Sequence, residues 1–267
     1  MIKSFAAFLF IALIFCTPVY ASSLEILTLL DISGESDTSL LIGASNEQIE
    51  KYLPNGKVKS QILAFLVKTG ENEILFDAGL KDGHVVNELI KNNKKSEDIK
   101  LILITHLHPD HFGGLTDSEN KAAFPNAEIY ISKPEYRYWV DEQKNEAVIN
   151  ALKLYGEKVK CFDFGDEVVS CVKAIDTVGH TPGHTAFLVE SEGEKILVAG
   201  DIMHFEDIQL PAPDVAVAYD VDPAKAIQSR KFLLDYAAQK NIPVAGMHLT
   251  GAGIFKVKKT ETGYEKF

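Results

Sequence analysis

Between Ile104 and Gly114 the chain reads ITHLHPDHFGG, directly after the largely apolar run IKLIL that starts at Ile99. A run of this kind leaves no polar face for solvent, so it fits a strand covered on both sides. It then ends on three histidines and an aspartate within the six positions 106–111. His106 and His108 are two residues apart. Alternate side chains of an extended segment share a face, so both imidazoles can reach one ion. Asp110 and His111 follow Pro109 and precede Gly113 and Gly114, where the chain must turn, and they can address a second ion nearby. Imidazoles with a carboxylate suit Zn²⁺, Fe²⁺, Mn²⁺ or Co²⁺.

Other apolar runs end the same way. EKILVAGD stops on Asp201, and PVAGMH stops on His248. DTVGHTPGHTAFLV places His180 and His184 in a Gly/Pro-rich turn between two strands. If these strand ends share one edge of the fold, their polar residues converge. QILAFLVKTGENEILFDAG reads as a hairpin turning at Gly70 and Asn72. AEIYIS, EVVSCVKAIDTVG and TAFLVES are further strands. Pro134 is expected to open a helix reaching about Leu154. Asp222 caps a second helix with Pro223 at its first position. Its apolar stripe is expected to hold Ala226, Ile227, Leu233, Leu234, Ala237 and Ala238. A terminal hairpin turns at Thr262 and Gly263. Strands in succession, then strands alternating with helices, imply more than one sheet covered by helices.

Hydrophobic residues make up 46% of the 267 positions, enough for a sizeable core, and no linker or composition break divides the chain. The formal net charge of −11 sets up a field that repels nucleic acid and anionic membranes, and no basic run opposes it. Residues 1–21 form a segment of their own: Lys3, an apolar run from Phe5 to Cys16, then Val19 and Ala21 at the small-residue positions of a cleavage site. This pattern reads as a secretory signal peptide, too short to span a bilayer, with the mature domain covering 22–267 and lying in the periplasm or outside the cell. Cys161 and Cys171 remain after cleavage. An oxidising compartment permits a disulfide between them, and the preferred reading is two buried thiols on neighbouring strands.

THLHPDH followed by HTPGHT, GD after a strand, and a late strand-terminal histidine resemble the metallo-β-lactamase superfamily across nearly the whole mature chain. The resemblance implies an α/β fold, the αββα sandwich of two mixed β-sheets flanked by helices, with two divalent metal ions, zinc foremost, at one edge. It assigns His106, His108 and His184 to the first metal, and Asp110, His111 and His248 to the second, with Asp201 bridging. Asp77 in ILFDAG matches an aspartate that supports the ligand loop. His180 is then a turn residue, and His84 a surface or rim residue. His204 stands three positions after Asp201, where some lactonases of the superfamily carry a tyrosine that contacts substrate, so it is assigned to the pocket. Trp139, in EYRYWV, is assigned to the pocket wall.

The C-terminal third resembles the exported methyl-parathion-hydrolase-like and lactonase-like branch. The implied activity is attack of a metal-bridging hydroxide on an ester, lactone or phosphotriester, with Asp201, Asp110 and His204 as the catalytic side chains. Thioester hydrolysis of the glyoxalase II kind would call for a basic patch, and β-lactam hydrolysis for a cysteine where Asp201 stands. A non-hydrolytic metal-binding or redox protein on the same fold is the alternative of another class. The expected partner is a small-molecule substrate, with no nucleic acid and no membrane after signal cleavage. A homodimer is left open.

Overall fold

The computed structural model describes residues 24–70 and 72–267, so the signal-peptide expectation lies outside the described residues. Two six-stranded sheets dominate. The first runs, edge to edge, through Glu25–Asp37, Lys57–Thr69, Asn72–Phe76, Leu101–Leu103, Glu128–Ser132 and Val159–Phe162. Its first three strands are antiparallel, and its remaining pairings are parallel. The second sheet runs through Ile254–Phe255, Val244–Ala245, Glu194–Val198, Thr185–Ser191, Val172–Asp176 and Glu167–Val169, with one parallel pairing, between Glu194–Val198 and Val244–Ala245.

Side-chain alternation explains the layering. Leu63, Phe65, Val67, Ile74, Phe76 and Leu103 point from the first sheet toward Phe187, Val189, Ile196 and Val198 of the second. The residues between them, Ala64, Leu66, Leu75 and Ile102, point the other way onto an outer layer containing Val85, Leu89, Val148 and Leu152. Leu197 and Ala199 of the second sheet meet Leu233, Leu234 and Ala237 of the helix Pro223–Lys240. The order helix, sheet, sheet, helix is the αββα sandwich expected from the motifs. Strands buried on both faces must be apolar at successive positions, which is why these runs carry no alternation.

Three local expectations change. The helix from Pro134 is broken: Lys133–Tyr136 passes into a wider turn over Arg137–Glu142, and a new helix, Glu146–Lys153, starts from an Asn145 cap after Lys144 at positive φ. EVVSCVKAID is a hairpin rather than one strand, because Cys171 takes a left-handed conformation at the turn. The two cysteines are free and lie on different sheets, Cys161 exposed and Cys171 half-buried, which corrects the reading of buried thiols on neighbouring strands.

The stripe of the helix Pro223–Lys240 contains a residue that composition disguises. Arg230 is 1% exposed, on the same face as Ala226, Leu233, Leu234 and Ala237. Its Nε donates to the Ile202 carbonyl at 2.6 Å, and Nη1 donates to the carbonyls of Pro213 and Val215 at 2.8 and 2.7 Å. Burial pushes its pKa down to about 10. One guanidinium thus pins the segment that follows Asp201. Arg230→Met keeps much of the volume but strands the Ile202 and Pro213 carbonyls and leaves Val215 only its bond from Gln209, so urea denaturation should show a loss of roughly 3–5 kcal/mol. Unchanged stability would remove the pinning role.

Candidate metal centre

The ligand-type residues hang from the ends of the strands. Asp77 ends Asn72–Phe76 at φ 59°, a conformation that aims its carboxylate back under the next strand. There it accepts from the Thr105 N–H and the Thr105 hydroxyl, each at 2.8 Å, and from His111 Nδ1 at 2.7 Å. Fully buried, Asp77 holds the His106–His111 loop in place, as the motif implies.

Five imidazole nitrogens crowd one carboxylate oxygen. Asp201 Oδ2 lies 2.9 Å from His248 Nε2, 3.1 Å from His204 Nε2, 3.3 Å from both His111 Nε2 and His180 Nε2, and 3.7 Å from His106 Nε2. The outer hydrogen bonds fix which nitrogen of each ring carries the proton. His111 Nδ1 donates to Asp77, His180 Nδ1 to Asp220 at 2.9 Å, and His248 Nδ1 to the Gln61 carbonyl at 2.7 Å. The Thr105 hydroxyl donates to Asp77, so it accepts from His106 Nδ1 at 3.1 Å. Each of these four rings, when neutral, therefore turns an Nε2 lone pair inward. His108 Nδ1 stands 3.0 Å from His106 Nε2 and 2.9 Å from His180 Nε2.

Such convergence of lone pairs is unfavourable unless a cation sits among them, and the donor chemistry fits that group. His106, His108 and His180 form one cluster of donor atoms, and Asp110, His111, Asp201 and His248 a second. His180, Asp201 and His204 form a third that overlaps both. Burial pushes His106 well down and His108 to about 3, keeping both rings in the neutral form that binds metal. Burial also works against protonation of His111 and His248, but Asp201 and its neighbouring carboxylates outweigh it and raise both. Both donor atoms lie within 3.3 Å of the Asp201 carboxylate, whose charge a cation would neutralise. Asp201 Oδ1 and His111 Nε2 have no hydrogen-bond partner despite full burial.

His184, expected at the first metal, is not in any of these clusters, and His180 stands in its place. Its Nδ1 donates to the Thr177 carbonyl at 3.0 Å, and its Nε2 accepts the Asp201 N–H at 2.9 Å, so its one lone pair is spent on backbone. Gly200, at φ +57°, lets it lie there: a Cβ at that position would come within 2.5 Å of His184 Nε2. His184 positions Asp201 from behind. Trp139 is also corrected. It does not line the pocket; its ring stands edge-on to His108, and its indole N–H donates to Glu135 at 2.6 Å. His84 is exposed at the start of the helix Val85–Lys91, away from the centre.

Over the metal centre opens a pocket of about 410 Å³. Ile62, Leu80, Phe205 and Tyr219 give it an apolar wall, and Ser36 and Ser60 a polar margin. His204 lines it beside Asp110. Tyr219, 48% exposed and 5.7 Å ring to ring from His204, was not legible in the sequence; it lies in a loop with no motif. No lysine or arginine is among the lining residues.

Fold and site together define a metal-dependent hydrolase with donors for two divalent cations. The chain belongs to the metallo-β-lactamase superfamily, whose family model matches residues 59–245. Among curated relatives, an N-acyl homoserine lactonase of Bacillus cereus is 29% identical over 164 residues, which is 52% of this chain and 62% of that protein. The lactonase AttM of Agrobacterium fabrum is 26% identical over 185 residues, 63% of this chain and 65% of that one. The matched region thus spans less than two thirds of either relative. Two solved structures, each 29% identical and covering 92% of this chain and 94% of the other, extend the likeness. They are AidC, a dizinc quorum-quenching lactonase in complex with a product, N-hexanoyl-L-homoserine (TM-score 0.85), and the hydrolase AbOPH (TM-score 0.83).

Proposed function

We propose that this protein is an exported zinc-dependent hydrolase of neutral lactones and related esters that carry an apolar tail. The observation that carries the reading is the donor-lined carboxylate Asp201 at the floor of a pocket with an apolar wall and no lysine or arginine in its lining. His106, His108 and His180 would hold one cation, and Asp110, His111 and His248 the other, with Asp201 within reach of both. Bound there, the pair supplies Lewis acidity, lowering the pKa of water and polarising the scissile carbonyl. Asp77, Asp220 and the Gln61 carbonyl keep the imidazoles aimed through their Nδ1 protons. Asp110, whose Oδ2 is 3.3 Å from His248 Nε2 and whose side chain is 24% exposed, is the carboxylate placed to accept the proton that the attacking water loses and pass it to the leaving alkoxide. His204 and Tyr219 wall the ring's place, and Ile62, Leu80 and Phe205 receive the tail. The lactonase relatives support this substrate class. Glutathione thioesters are disfavoured, because no lysine or arginine lines the pocket away from the cation ligands to pair with their carboxylates. The apolar, cleavable-looking segment 1–21 supports export.

The test is a panel of N-acyl lactones of increasing tail length beside aryl esters, phosphotriesters and a glutathione thioester, assayed with the zinc-loaded mature protein. KM for the lactones should fall about fourfold per added methylene until the pocket is full, at ~0.8 kcal/mol per buried CH₂. Leu80→Ala, in the wall that receives the tail, should flatten that dependence. A preference for the anionic thioester would overturn the reading.

A further inference from the structure

Glu135 is fully buried, 0% exposed, and belongs to none of the donor clusters. Its carboxylate accepts four hydrogen bonds, all from neutral groups. Oε1 takes the Leu107 N–H at 2.8 Å and the Trp139 indole N–H at 2.6 Å. Oε2 takes the Thr181 hydroxyl at 2.6 Å and the Gly183 N–H at 2.9 Å. A carboxylate has about four acceptor positions, so this one is saturated. Burial raises its pKa, and the four donors oppose that rise. Among the described residues it forms no ion pair, and the groups that most affect it are all neutral.

The donors are not scattered. Leu107 lies between His106 and His108; Thr181 and Gly183 follow His180. One carboxylate therefore ties the two loops that carry the three imidazoles of the first cluster, and those loops come from different sheets. Trp139 adds a brace, since the indole that donates to Oε1 also stands edge-on to His108, with ring centroids 5.6 Å apart. The backbone confirms how closely the parts meet: a Cβ on Gly183 would lie 2.1 Å from the Glu135 nitrogen. The Ser132 hydroxyl donates to the Gly183 carbonyl at 2.7 Å and accepts the Glu135 N–H at 3.3 Å, fixing the same junction from the other side.

We infer that Glu135 is the positioning residue of the first cation site: it sets the separation of the His106–His108 loop from the His180 loop and places a fixed negative charge behind them. The inference rests on the two-cation reading of the site, but not on any substrate. A buried anion without a basic partner is unfavourable by itself, and a cation among the three imidazoles is the counter-charge that offsets it. The second cluster has no hydrogen bond to Glu135, so the effect is confined to one site.

Glu135→Gln tests this. Either orientation of the amide turns its NH₂ toward a backbone N–H, that of Leu107 or that of Gly183, while also removing the charge. Metal binding is followed by chelator competition with Zn²⁺, and with Co²⁺ through its absorption spectrum. One of the two sites should weaken by about 10- to 100-fold, with the absorption of the other unchanged. Thr181→Val and Trp139→Phe each delete one donor and keep the charge; each should weaken the same site by a smaller factor, with the far-ultraviolet circular dichroism of the wild type. If Glu135→Gln fails to fold, these two variants decide the matter. Wild-type affinity at both sites, or equal weakening of both, overturns the inference. Because the readout is metal affinity, a protein that hydrolysed no lactone would refute the proposed function and leave this result standing.

Discussion

Asp201→Asn is expected to lose hydrolytic activity by roughly 10²- to 10⁴-fold while the protein stays folded. The factor follows from removing one partner of a buried charge arrangement, at about 3–5 kcal/mol, where 1.36 kcal/mol is a factor of ten. The substitution keeps the shape, and the Asp201 N–H still donates to His184. It removes the anion around which five imidazole nitrogens gather within 3.7 Å. Metal content should fall with activity, because both donor clusters use that carboxylate or adjoin it. Steady-state turnover with elemental analysis of the same samples checks both. Near-full activity with two metals bound would rule out a shared role for Asp201.

The second large effect separates two histidines four residues apart. His180→Ala should lose about one of two metal equivalents, because it deletes an Nε2 lone pair that faces His108 and Asp201. His184→Ala should keep both equivalents at saturating metal, with a lowered kcat, because it removes only the acceptor behind the Asp201 backbone. Losing a hydrogen bond that holds a metal-facing carboxylate in place is worth about 10- to 100-fold. Equal metal loss in the two variants would contradict the tautomer argument.

That pair also marks where sequence reading stops. The ligand run at His106–His111 was legible because one strand delivers it and the spacing of two has a single geometric meaning. Asp201 and His248 were legible as polar ends of apolar runs. HTPGH offers no such periodicity. In a turn, direction is set residue by residue, and which imidazole keeps a free lone pair depends on the Asp201 N–H and on space left by Gly200, both distant in sequence. Trp139 failed for a related reason: an aromatic beside a metal loop can brace it as readily as line a pocket, and the Glu135 carboxylate decided which. Glu135 and Arg230 were hidden because charged residues read as solvent-facing, whereas here backbone donors and carbonyls satisfy them internally. The strand order was open to pattern only as far as two covered sheets; the positions of the edges follow from pairings between remote segments.

Neither half of the chain owns a complete cation site. His106 and His108 come from the first sheet and His180 from the second; Asp110 and His111 from the first, Asp201 and His248 from the second. An incompletely folded chain with one sheet formed holds at most two donors of either set. Tight metal binding is therefore a property of the docked sandwich and rivets it: the free energy of loading adds to that of sheet association, and a chain that has not closed has little with which to trap an ion. Metallation in this architecture is a late event that reads out whether the two halves have met.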